Sequence, residues 1–113
     1  MTTCGIKETI MRRVNLLEET LKKLHEYGKE PKDVVFVTDG DVSVFWREFA
    51  EQATNFYYDN GFGFVMVNEK LKIVGADWWL ERFEYDGSEW WEFKTQPRNT
   101  SKPGTLQLID YME

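Results

Sequence analysis

Between Asp77 and Lys94 the chain places four of its five tryptophans, six carboxylates and only two basic side chains. Two acids flanking a sugar laid on aromatic rings are the equipment of glycoside hydrolysis, and Glu81, Glu84, Glu89 and Glu92 are the candidates for that role. The same rings without acid chemistry would make a platform for carbohydrate or another small ligand. A third use is a protein-binding face of aromatic anchors with an acidic rim, formed by Trp78, Trp79, Glu81, Arg82, Glu84, Glu89, Trp90, Trp91 and Glu92. Against all three stands a plainer reading, in which the tryptophans fill the core and the glutamates form solvated cross-strand pairs with Arg82 and Lys94. A chain of 113 residues has little room for a deep cleft, so the expectation is non-enzymatic protein binding.

Other reactive side chains are isolated. His25 is the only histidine and Cys4 the only cysteine, so the usual zinc ligand sets cannot be assembled, and Cys4 has no partner base. Asp59-Asn60-Gly61 lacks the spaced acids and closing glutamate of a calcium loop. Phe62-Gly63 lacks the lysine and serine or threonine of a phosphate loop. Neither a metal nor a cofactor is expected.

The elements that must position the hairpin follow from periodicity. Trp78 to Tyr85 and Glu89 to Thr95 flank Asp86-Gly87, the signature of a β-hairpin whose turn needs positive φ. A two-residue turn would set Phe83 opposite Trp90, Glu81 opposite Glu92, Arg82 opposite Trp91 and Leu80 opposite Phe93. A three-residue loop with a bulge would instead set Glu81 opposite Trp91 and Trp79 opposite Phe93. Both registers leave aromatics and acids on both faces, so one face covers the core and the other is either covered or an exposed aromatic patch.

Ile6, Ile10, Val14, Leu17, Leu21 and Leu24 form one apolar stripe, which predicts a helix over 6–27 that ends at Gly28 and Pro31. Glu8 with Arg12, Glu18 with Lys22 and Glu19 with Lys23 would support it as i,i+4 pairs. Packing on the domain's own sheet is the preferred use of the stripe, with a homodimer through helix 6–27 as the alternative. A strand is expected over 33–37, and a helix over 44–53 capped by Ser43. Residues 65–67 fit either a strand or a helical turn. A strand at 71–74 leads into the hairpin, giving strand and hairpin over 71–95, and 96–113 reads as a loop with a short terminal strand. The fold class is thus α+β in a single domain, with a long N-terminal helix and a short second helix on a small, mostly antiparallel sheet.

Composition narrows the setting. The chain is 42% apolar, 30% charged and 16% aromatic, with a formal net charge of −6. Residues 1–32 carry +2 and residues 33–113 carry −8. An acidic balance argues against direct nucleic-acid binding. No apolar run is long enough to span a membrane, the start lacks the pattern of a signal peptide, and a lone cysteine suits a reducing cytoplasm.

The stretch Tyr58-Asp-Asn-Gly-Phe-Gly63 with Asp77-Trp-Trp-Leu-Glu-Arg-Phe-Glu-Tyr-Asp-Gly-Ser-Glu-Trp-Trp-Glu-Phe93 resembles small proteins of phages and other mobile elements. The similarity runs over 39–97 and omits the first helix and the tail. That group brings no activity, cofactor or catalytic residue with it, so the resemblance implies context alone: small acidic accessory proteins that bind and block host machinery, as anti-CRISPR proteins do. In such a setting Asp59, Asp77, Glu81, Glu84, Asp86, Glu89 and Glu92 could imitate nucleic-acid phosphates on a basic groove.

Overall fold

The computed structural model describes residues 13–60 and 65–110. Its order is β1 (Arg13–Asn15), α1 (Leu16–Glu26), β2 (Phe36–Thr38), β3 (Ser43–Val44), α2 (Trp46–Ala53), β4 (Tyr57–Asp59), β5 (Lys72–Val74), β6 (Trp78–Tyr85) and β7 (Ser88–Thr95). Five strands form one antiparallel sheet in the order β3-β2-β5-β6-β7, while β1 and β4 make a separate two-stranded ribbon. The expected α+β class is found.

The first helix is shorter than its apolar stripe suggests. Arg13–Asn15 is a strand, with Val14 opposite Tyr58, and the helix begins at Leu16. Asn15 is the cause. Its backbone is extended and its side chain accepts the Glu18 backbone N–H at 2.9 Å, an N-cap that ends helical geometry upstream. Its amide also donates to the Thr54 carbonyl at 3.0 Å, tying the start of α1 to the end of α2. Residues 6–12 of the expected helix, with the Glu8–Arg12 pair, lie outside the described residues. The far end is as expected: Gly28 has φ +71°, and Lys29 N–H reaches back to the Leu24 carbonyl at 2.8 Å, so the last carbonyls are satisfied by a left-handed cap.

The buried line of α1 is Leu16, Thr20 and Leu24, with Leu17 packed beside it and Leu21 37% exposed. The helix therefore lies on the domain's own sheet, slightly rotated from the stripe read in sequence. Thr20 takes the central place because both sides of its hydroxyl are used: it donates to the Leu16 carbonyl at 2.7 Å and accepts the Trp91 indole N–H at 2.9 Å. Glu19 turns inward to Arg82, and Lys23 pairs with Glu26 at 3.2 Å in place of the expected Glu19–Lys23 pair.

Other elements also differ from expectation. The strand expected over 33–37 forms at Phe36–Thr38, behind a short turn opened by Pro31. Ser43 belongs to β3 and caps no helix; Glu48 accepts the Phe45 backbone N–H at 3.1 Å at the start of α2. Residues 65–67 are neither strand nor helix, and no strand forms in the described part of the tail, where Leu106, Leu108 and Ile109 are exposed.

The hairpin adopts the two-residue alternative. Asp86 and Gly87 have φ of 54° and 86°, the paired positive values of a tight hairpin turn, and Phe83 faces Trp90 while Arg82 faces Trp91. Val37, Ile73, Trp78, Leu80 and Trp91 line the inner face beneath α1 and α2 and form the core with Leu24, Phe49 and Ala53. Trp78 and Tyr27 both stack on Phe93, with ring centroids 5.7 and 4.2 Å away. Trp78 also lies so close to Gly75 that any side chain there would collide with the indole.

Candidate functional site

Strand alternation divides the expected binding residues between the two faces of the hairpin. Trp78, Arg82, Glu89 and Trp91 point inward and are buried, which corrects their assignment to a solvent-facing surface. Trp79, Glu81, Trp90 and Glu92 lie on the outer face and are half-buried; Glu84, opposite Glu89 near the turn, is exposed.

The inner residues build a polar cluster that residue spacing did not reveal. The Arg82 guanidinium donates to Glu19 at 3.2 Å, to Glu89 at 3.1 Å and to the Tyr58 hydroxyl at 3.2 Å; Tyr58 in turn donates to Glu19 at 2.8 Å. Glu89 also accepts the backbone N–H groups of Met66 and Val67 at 2.7 and 3.1 Å. Asn60 continues the edge of the sheet as a strand would, exchanging two hydrogen bonds with the backbone of Glu89. The guanidinium carbon sits 4.7 Å from the Trp91 ring centroid, and the buried Arg82 Nε, which has no hydrogen-bond partner among the described residues, belongs to this stacked group. The Arg82 and Glu89 side chains are each 2% exposed. This cluster joins α1, β4, the 65–67 segment and the hairpin, and its carboxylates are committed to internal donors. Sequence reasoning missed Glu19, Thr20, Tyr58 and Asn60 because their partners in the cluster and at Trp91 lie between 24 and 71 positions away.

Burial pushes the Glu19 carboxyl above its ordinary value, against the pull of the Arg82 charge and the Tyr58 hydroxyl. Burial likewise pushes the Tyr58 phenol up. A raised folded value for Glu19 means the folded protein holds that proton more tightly than the unfolded chain. Its contribution to stability is full below the ordinary value of 4.5 and is lost as pH rises through the folded value. The unfolding free energy of the wild type, measured against that of Glu19→Gln, is therefore expected to fall as pH rises from 4.5 toward neutrality. A rising difference in paired urea titrations would overturn this account.

Across the outer face the register sets side chains in rows. Phe36, Val74, Trp79 and Lys94 form one; Ser43, Thr38, Lys72, Glu81 and Glu92 form the next; Phe83 and Trp90 follow, with ring centroids 5.5 Å apart. Each tryptophan of this face gives its indole N–H to the glutamate two residues on, Trp79 to Glu81 at 3.0 Å and Trp90 to Glu92 at 2.7 Å. The donors hold the rings in fixed orientations over the sheet. Glu81 also receives Lys94 at 3.3 Å, and the Trp79 indole together with the Lys94 and Lys72 charges holds its carboxyl below the usual range. Phe83 is 50% and Tyr85 73% exposed. Both helices pack against the inner face, and no helix or strand covers the outer face among the described residues.

The weaker sequence signals find structural uses. His25 is exposed in the last turn of α1, where a cation suits the helix dipole, and Asp59 stands opposite Arg13 in the register of the ribbon. Cys4, Gly61, Phe62 and Gly63 lie outside the described residues. No cluster of metal-ligating side chains occurs among the described residues, and no described helix is long and apolar enough to cross a membrane. Comparison of the chain with protein-family models, with curated proteins and with solved structures finds no match in any of the three.

Proposed function

We propose that the chain is a non-enzymatic protein-binding module whose docking surface is the outer face of the β5–β6–β7 sheet. One observation carries this reading: an aromatic face, with Phe83 and Tyr85 exposed and Trp79 and Trp90 half-buried, stands on a sheet that, among the described residues, is packed by helices on its opposite face alone. Fixed aromatic rings on a rigid sheet bury large apolar area at little entropic cost, which is what interface anchors do. The binding set is therefore Trp79, Glu81, Phe83, Trp90 and Glu92. Trp78, Arg82, Glu89 and Trp91 support these residues from beneath.

A role as an accessory protein of a phage or mobile element agrees with this geometry, since a small rigid face is enough to occupy a partner's surface. The acidic balance of the hairpin favours a second reading within the same class, an inhibitor lodged in a basic groove.

The test is positional. A photo-cross-linking phenylalanine at Phe83 is expected to give discrete cross-linked products in lysate of the source cells, and the same group at the exposed Gln52 of α2 is not. Equal products from both positions, or none from Phe83, would overturn the assignment of the face.

A further inference from the structure

The outer face holds two carboxylates that are not equally neutralised. Glu81 and Glu92 stand directly opposite each other across β6 and β7, an arrangement of like charges that costs stability. Glu81 has Lys94 at 3.3 Å, Lys72 opposite it on β5, and the Trp79 indole N–H. Glu92 has the Trp90 indole N–H on one oxygen, and no cation lies within 4.0 Å of it among the described residues. β7 ends the sheet, so no further strand of this sheet brings a lysine or arginine to its side.

The hairpin's own cations are engaged elsewhere. Arg82 is buried between Glu19 and Glu89, and Lys94 is on Glu81. Beside Glu92 lie the rings of Trp90 and Phe83. A carboxylate lacking a cation next to aromatic faces is a receptor for a planar cation: a guanidinium stacks on the ring while its N–H groups reach the carboxylate, which an ammonium cannot do in the same pose.

Resting on the docking surface described above, we infer that the face receives an arginine-bearing segment of a basic partner protein, with a guanidinium seated on Trp90 and paired with Glu92. Its charge would relieve the Glu81–Glu92 opposition, so binding is complementary in charge as well as in shape.

The probe is a short peptide of alternating leucine and arginine, compared with its citrulline counterpart, which is neutral and nearly the same shape. Binding is read from the indole N–H signals of Trp79 and Trp90 in nuclear magnetic resonance titrations. The arginine peptide is expected to shift both signals, and both the citrulline exchange and Glu92→Gln to weaken binding about tenfold. Glu51→Gln, on the exposed side of α2, is expected to leave it unchanged. The amide oxygen introduced by Glu92→Gln can still accept the Trp90 N–H, and an unaltered circular dichroism spectrum shows that this variant folds. Equal binding of the citrulline peptide with the same tryptophan shifts, or arginine binding indifferent to Glu92→Gln, overturns the cation site and leaves the docking surface standing. If neither peptide moves the tryptophan signals the cation site is also overturned, and the surface itself is then judged by cross-linking from Phe83.

Discussion

Arg82→Met is expected to lower the unfolding free energy by about 3–5 kcal/mol, the cost of breaking a buried ion pair by removing one partner. The methionine keeps most of the apolar stem, so the loss is electrostatic. Removing the guanidinium leaves Glu19 and Glu89 facing one another with their hydrogen-bond acceptors partly unfilled, and strips Tyr58 of a donor. A domain of this size has only about 5–15 kcal/mol of stability in total, so the urea midpoint should move far. The interaction is checked by a double-mutant cycle with Glu89→Gln. If the two groups act as a unit, the double variant is less destabilised than the sum of the singles by about 1–3 kcal/mol. Additivity within about 0.5 kcal/mol would show that Arg82 and Glu89 do not act as a unit.

The hairpin was legible in sequence because its determinants are local. Asp86-Gly87 demands positive φ, and that demand, with alternation on each side, specifies the strands and narrows the register to two forms. The two forms differ by one residue in the turn, and aromatics fall on both faces in either, so alternation could not say which tryptophans are inside. Helix α1 was legible only in part for the opposite reason. Val14 continues the apolar period, yet Asn15 followed by Glu18 is a cap pattern, and the ribbon with Tyr57–Asp59 claims Val14 for a strand. The Asn15 cap is thus a signal present in the sequence that periodicity outweighed.

The polar cluster was illegible by its nature. Glu19 has the spacing of a surface helix pair with Lys23, and Tyr58 sits in a run rich in aromatics and turn residues; nothing near either announces Arg82. Only the placement of β4 beside the hairpin makes them neighbours. The same cluster explains why two acids of the hairpin's negative run do not contribute as free surface charge: Glu89 is consumed internally by Arg82, and Glu81 externally by Lys94.

Trp90 and Trp91 are adjacent in sequence and are expected to respond to alanine in opposite ways. Trp91 has no solvent exposure, donates its indole N–H to Thr20 and lies under the Arg82 guanidinium. Trp91→Ala should cost about 3–5 kcal/mol, since the cavity is enclosed by a helix and a sheet that cannot close over it, and the Thr20 hydroxyl loses its donor. Trp90 faces outward, contacts Phe83 and donates to Glu92. Trp90→Ala should cost about 1 kcal/mol, the worth of one cross-strand aromatic pair, while abolishing capture of the partner through the outer face. Denaturant unfolding and binding measured on the same two proteins separate the roles. A Trp90→Ala protein as unstable as Trp91→Ala would place Trp90 in the core and remove the docking face. A stable Trp90→Ala protein that still captures its partner at full strength would move the contact elsewhere on the chain. Alternation along a single strand makes the distinction possible: the inner row secures the sheet that the outer row needs in order to hold its rings in place.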